Sequence, residues 1–69
     1  MNTETIGSWA GALWVALNEA NSLGIKQLKK ATKLKEKEIY AALGWLARED
    51  KVTIAPDPED AKELIVSLK

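Results

Sequence analysis

From Ile25 onward the apolar positions fall at Ile25, Leu28 and Ala31, pause at Leu34, and resume at Ile39, Ala42, Leu43 and Leu46. Three- and four-residue spacing on both sides of a short break describes one helical face, a tight turn and a second helical face, the layout of a helix-turn-helix. Leu34 is placed to plug the turn between two steeply crossing helices. The spacing predicts helices over about Ile25 to Thr32 and about Lys35 to Glu49. Gly commonly closes the first helix of such a pair because that residue takes a positive φ; this chain has Lys33 there. Neither segment is long or apolar enough to stand alone, so elements before and after must complete the core.

Upstream, a helix is expected from about Glu4 to Ala20, with Thr3 as the cap oxygen and Glu4 as an acid near its positive end. At about 100° per residue, Ile6, Ala10, Leu13, Leu17 and Ala20 share one stripe, flanked by Trp9 and Trp14, and this stripe reads as core. The opposite face holds Ser8, Gly11, Ala12 and Val15, small or apolar where a solvent face is usually charged. Gly7 and Gly11 each cost about 1 kcal/mol relative to Ala in a helix, so either something packs closely there or the helix tolerates them. Asn21, Ser22 and Gly24 break the pattern, with Leu23 pointing inward from a short extended link.

Downstream, Val52 to Ala55 alternate as a half-buried strand, and Leu64 to Leu68 read as its antiparallel partner. The polar segment Pro56 to Lys62 lies between them, and its two prolines are expected to keep it out of the ladder. Helix, link, helix, turn, helix and hairpin is the order of a winged helix. The expected architecture is α+β, mainly α: three helices followed by a two-stranded β-hairpin wing, in a single domain over residues 1–69.

A chain of 69 residues buries only about 60% of its unfolded surface, which leaves it marginal alone and makes association an option. With no Cys and no His, disulfides, thiol nucleophiles, zinc fingers and imidazole acid–base chemistry drop out. No metal-ligand spacing, phosphate loop or nucleophile motif is present and no cofactor is implied. Glu36 and Glu38 could in principle share a proton, but so small a core leaves little room for a small-molecule substrate, and an enzyme is not expected. No apolar run approaches the ~20 residues that cross a bilayer, and no basic leader opens the chain, so a soluble cytoplasmic domain without a membrane partner is expected.

Ten basic and ten acidic residues cancel overall, but not locally. Residues 26–37 carry six lysines against the single acid Glu36, a local charge of +5. Residues 49–63 carry six acids against Lys51 and Lys62, a local charge of −4. Such halves describe either a polyanion-facing end opposed to one that repels it, or two solvated faces of opposite sign.

The stretch from Ile25 to Val52 resembles the winged helix-turn-helix superfamily, whose helical pair commonly reads Leu-Ala-x-x-x-Gly-Leu-Ser before a helix spaced Val-x-x-x-Leu-x-x-Leu. The run Ala41-Ala42-Leu43-Gly44-Trp45-Leu46-Ala47-Arg48-Glu49, with the Trp9-to-Leu17 helix ahead of it, is more particular. It resembles a family of small, uncharacterised bacterial winged-helix proteins over nearly the whole chain. The resemblance implies the fold and a homodimer, and brings no established activity with it.

A DNA-binding winged helix lays the second helix of the pair in the major groove, while basic residues around it grip phosphates. The outer positions here are Glu36, Lys37, Tyr40, Ala41, Gly44 and Arg48, of which Lys37, Tyr40 and Arg48 offer donors toward bases. Ala and Gly occupy the middle, where Arg, Asn or Gln would read base edges, so sequence readout is expected to be weak. Lys29, Lys30, Lys33, Lys35 and Lys37 cluster about the turn and are the candidate contacts to the backbone of duplex DNA. Asp57, Glu59 and Asp60 in the wing, and Glu36 beside the turn, oppose them.

The leading expectation is therefore mainly electrostatic, weakly sequence-specific DNA binding. Its alternative is a protein-interaction or dimerisation module that does not bind DNA. The surfaces for that are Gly11 and Val15 on the first helix, or Ala41, Gly44 and Trp45 on the third. Trp45 lies about 120° from Ile39 on the helical wheel, either as an exposed interface anchor or folded under the wing over Val52 or Ile54.

Overall fold

The computed structural model describes residues 1–69. Asn2, and not Thr3, caps the first helix: its Oδ1 accepts from the Thr5 amide at 2.8 Å and from the Thr5 hydroxyl at 2.8 Å. Asn is at least as good a cap as Thr, and here it also ties down the Thr5 hydroxyl. Helix α1 (Thr3–Ala20) ends at Asn21, which turns the chain with a φ of 69°. Its buried face is narrower than the expected stripe. Ala10, Leu13 and Leu17 are buried, Ile6 is half-buried, and Ala20 is exposed in the last turn. Trp9 packs against the core, whereas Trp14 is 40% exposed.

The Gly24 amide donates to Gln27 Oε1 at 2.8 Å and opens α2 (Ile25–Thr32). Lys33 stops it with φ 64° and ψ 14°, its N–H donating to the Lys29 carbonyl, which is the one-bond left-handed helix stop. Positive φ at this position is thus carried by a side chain that pays about 1–2 kcal/mol to be there. Thr32 steadies the turn: its hydroxyl donates to the Leu28 carbonyl at 2.7 Å and accepts from the Leu34 amide at 3.3 Å. Leu34, half-buried, packs against the core as the plug of the turn.

Helix α3 (Glu36–Arg48) starts one residue later than expected, because the Lys35 amide donates to Glu38 Oε1 at 2.8 Å and fixes Lys35 outside the helix. At its other end the Lys51 amide donates to the Leu46 carbonyl and the Asp50 amide to the Ala47 carbonyl, both at 3.0 Å. With Asp50 at φ 60°, this is a Schellman stop built without glycine. The buried residues Ile39, Ala42, Leu43 and Leu46 face α1 and α2.

The link after α1 is a strand, which corrects the two-stranded wing. β1 (Ser22–Gly24), β2 (Val52–Pro56) and β3 (Leu64–Leu68) form an antiparallel sheet in the order β1-β3-β2. Leu23 pairs with Val66 and Ile54 pairs with Val66 from the other side, so β3 is central. The physical reason is the need of extended backbone for partners: β3 offers a free edge, and β1 takes it. Pro56 also falls inside the ladder, opposite Leu64, against the expectation that both prolines stay out; it closes the end of an edge strand, where its missing N–H costs nothing. Only Val52 of β2 is buried and Ile54 is 41% exposed, because the hairpin projects beyond the helices. One core of Leu13, Leu17, Leu28, Ile39, Leu46 and Val66, with their neighbours, joins helices and sheet.

Lys33→Gly removes the left-handed strain, and the greater freedom of glycine in the unfolded chain offsets only part of the gain. We expect a net stabilisation of up to about 1 kcal/mol, or a rise of several degrees in the melting temperature of a domain this size. Thermal unfolding followed by circular dichroism checks it; a lower melting temperature contradicts the strain.

Candidate nucleic-acid interface

Lysines dominate one side of the helical pair. Lys26, Lys29, Lys30 and Lys33 recur at helical spacing along α2 and are all exposed, because Ile25 and Leu28 take the buried side of the helix. Lys26, Lys29 and Lys30 alone line an open depression of about 390 Å³. Lys35 and Lys37 continue the positive charge across the turn, also exposed. None of the six lysines makes an ion pair; the two pairs in the chain are Lys51 with Glu49 and Lys69 with Asp50, where α3 gives way to β2. All five lysines expected about the turn are therefore exposed. Lys26 was missed as a site residue, although its spacing of three, four and seven from Lys29, Lys30 and Lys33 is the signal that includes it.

The exposed side of α3 is poorer in charge. Lys37, Tyr40 and Arg48, the expected base-facing residues, are exposed, Tyr40 by 42%. Gly44 between them faces open space, with nothing within 4 Å of where a Cβ would stand. Of the expected patch of Ala41, Gly44 and Trp45, Gly44 is exposed and Ala41 half-buried, and Ala47 nearby is exposed. Trp45 is half-buried rather than an exposed anchor. Its indole lies over Gly7 of α1, where an added Cβ would stand 3.4 Å from the ring. Gly7 thus has a packing reason inside the chain.

Gly11 and Val15, the other expected interface, are exposed on α1, Val15 by 55%. Val15 borders an apolar groove of about 540 Å³ between α1 and α2, lined with Ala12, Ala16, Leu23 and Ala31. Nothing lies within 4 Å of a Cβ built on Gly11. A second groove, of about 310 Å³, runs past Gly7 and Gly11 between Trp14 and Trp45.

The wing acids have local work. Asp57 Oδ1 accepts from the Glu59 amide at 2.9 Å and Asp60 Oδ1 from the Lys62 amide at 3.1 Å, which shapes the loop between β2 and β3. Glu63 reaches α2: one oxygen accepts from the Lys26 amide at 3.3 Å and the other from the Leu64 amide at 3.2 Å. Gly24 makes room for it, since a Cβ there would lie 3.3 Å from the carboxylate. No three Asp, Glu, His or Cys side chains converge to hold a metal ion, and no helix is long and apolar enough to cross a membrane.

Residues 1–68 match the model of a family described as a winged helix-turn-helix domain, DUF2582. The chain belongs to this family. A Bacteroides thetaiotaomicron protein solved in solution by NMR is 34% identical, with a TM-score of 0.83 over 99% of this chain and 79% of that one. Two further structures share the fold at lower identity. A mutant MarR from E. coli, complexed with operator DNA, is 21% identical with a TM-score of 0.79 over 90% of this chain and 44% of that one. Bordetella bronchiseptica BpsR, whose DNA binding is regulated by 6-hydroxynicotinic acid, is 16% identical with a TM-score of 0.81 over 100% of this chain and 52% of that one. This chain thus spans about half the length of each of these two proteins. No protein of curated function matches the sequence.

Within the DUF2582 domain the two α1 glycines should respond in opposite directions. Gly7→Leu forces the Trp45 ring off its seat and should cost about 1–3 kcal/mol, as overpacking does. Gly11→Ala adds a helix-favouring methyl into open space and should stabilise by up to about 1 kcal/mol. Chemical denaturation of both variants checks the contrast; equal effects would mean that Gly7 is not a packing site.

Proposed function

We propose that this DUF2582 domain is a bacterial nucleic-acid-binding module that holds duplex DNA through lysine contacts to phosphates, with little dependence on base sequence. The observation that carries the reading is the cluster of exposed, unpaired lysines at α2 and the turn, among them Lys29, Lys30, Lys33, Lys35 and Lys37. A lysine with no carboxylate partner releases counterions when it meets a phosphate and has no internal pair to break first. The shared fold with the MarR that was solved on operator DNA supports the class of partner. Weak sequence dependence follows from α3, whose exposed middle offers Gly44 and Ala47 where base-reading side chains would stand. Such a partner places the domain in the cytoplasm, and neither cofactor nor catalysis enters the reading.

With about four lysines per chain on phosphates, log affinity against log salt should fall with a slope near −4. Fluorescence anisotropy on two unrelated duplexes at several salt concentrations measures it, and both duplexes should give the same line. Lys33→Glu or Lys35→Glu should weaken both alike. Absence of binding at tens of micromolar protein in low salt contradicts the proposal, and so does tight binding to one duplex that survives high salt.

A second reading, self-association, is favoured by the exposure of Val15 beside the groove between α1 and α2. Burying this apolar surface against a second copy would add to a core that is small for a free-standing domain. Sedimentation should then give a dimer that Val15→Glu splits, while Trp45→Glu unfolds the chain instead of merely separating it. A wild type that stays monomeric at high concentration ends this reading.

A further inference from the structure

We infer that the lysine-bearing side of α2, and not the outer face of α3, is the surface that meets the DNA backbone, so that α3 stays out of the major groove. The inference rests on the DNA-binding reading above and makes it geometric. At 100° per residue, Lys26, Lys29 and Lys30 fall within an arc of about 100° on α2, and Lys33 follows at its left-handed stop. From Lys26 to Lys33 the helix rises about 10 Å, which matches about three phosphates of one strand at 3.4 Å of duplex axis each. Three of these lysines line one open depression with no other residue in its lining, and an anion placed there meets positive charge from each. All are lysines. They present compact point charges suited to phosphate oxygens and lack the fork with which arginine reads guanine.

Two further observations exclude the other approaches. The amino end of α2 is already occupied: the Glu63 carboxylate sits against Gly24 and accepts the Lys26 amide, so a phosphate must come to the side of the helix and not to its end. On α3, exposed Glu36 stands beside Lys37 in the first turn, and no charge follows on its exposed face until Arg48, eleven residues on from Lys37. A helix with that face gains little in a groove walled by phosphates.

The test is a set of anisotropy titrations on a duplex of mixed sequence at low salt, with circular dichroism to show that each variant is folded. Lys26→Glu with Lys30→Glu should lower affinity at least about tenfold and flatten the salt slope by about 2, and the double Gln variant should show the same slope change with a smaller loss. Tyr40→Ala with Arg48→Ala should change affinity less than about twofold. Glu63→Gln, which removes a negative charge beside Lys26, should strengthen binding. If the wild type binds and the Tyr40 and Arg48 pair costs more than the Lys26 and Lys30 pair, α3 is the contact: the inference falls while the DNA-binding reading stands. If the wild type binds no DNA, that reading falls and the inference with it. Binding to phosphatidylserine vesicles without binding to DNA overturns the choice of partner.

Discussion

The left-handed residue between α2 and α3 is the constraint on which the rest of this small fold depends. Lys33 turns the chain within one residue, and Leu34 then drops against the core while Lys35 opens the next helix. This path brings Ile39, Ala42 and Leu43 into one core with Leu13, Leu17 and Leu28. Once α3 is set across α1, Trp45 reaches Gly7 and the hairpin returns β3 to pair beside β1. The strained backbone and a positive charge coincide at one residue. Glycine would relieve the strain but would leave the turn without the lysine that continues the α2 row, and strain kept at such a place is what a functional surface tends to show.

The distribution of charge follows the same logic. Four acids help to build the chain: Glu38 holds the Lys35 amide, Asp57 and Asp60 shape the wing loop, and Glu63 bridges the wing to α2. The lysines of residues 26–37 hold nothing together through their side chains, since none makes an ion pair. A net charge of zero therefore conceals a division of labour between carboxylates that accept backbone amides and lysines that make no ion pair. Free like charges gathered on one short helix repel one another, and the proposed DNA partner would relieve this.

Much of the fold was legible because it is local. The spacing of Ile25, Leu28 and Ala31, broken by a polar turn, places α2 to the residue, and the positive φ at Lys33 follows from where that pattern stops. What escaped depends on distant partners. β1 is three residues of weak strand propensity whose ladder exists only because β3 comes back to it, as the bond between Ser22 and Ser67 hydroxyls at 3.0 Å shows. The fate of Trp45 is decided by a glycine on another helix, which no periodicity within α3 can reveal. At the candidate site the lysines of the turn were evident, but grouping them around the turn instead of along the helix left Lys26 out and hid the continuous side of α2.

The central claim, that phosphates are met by the side of α2, is tested most directly by following backbone amide resonances of the labelled protein as duplex DNA is added at low salt. The account predicts that amides from Lys26 to Lys33 shift in proportion to saturation, while those from Tyr40 to Arg48 on α3 stay near their free positions. The reverse pattern, with the largest changes along α3 and little along α2, would contradict it.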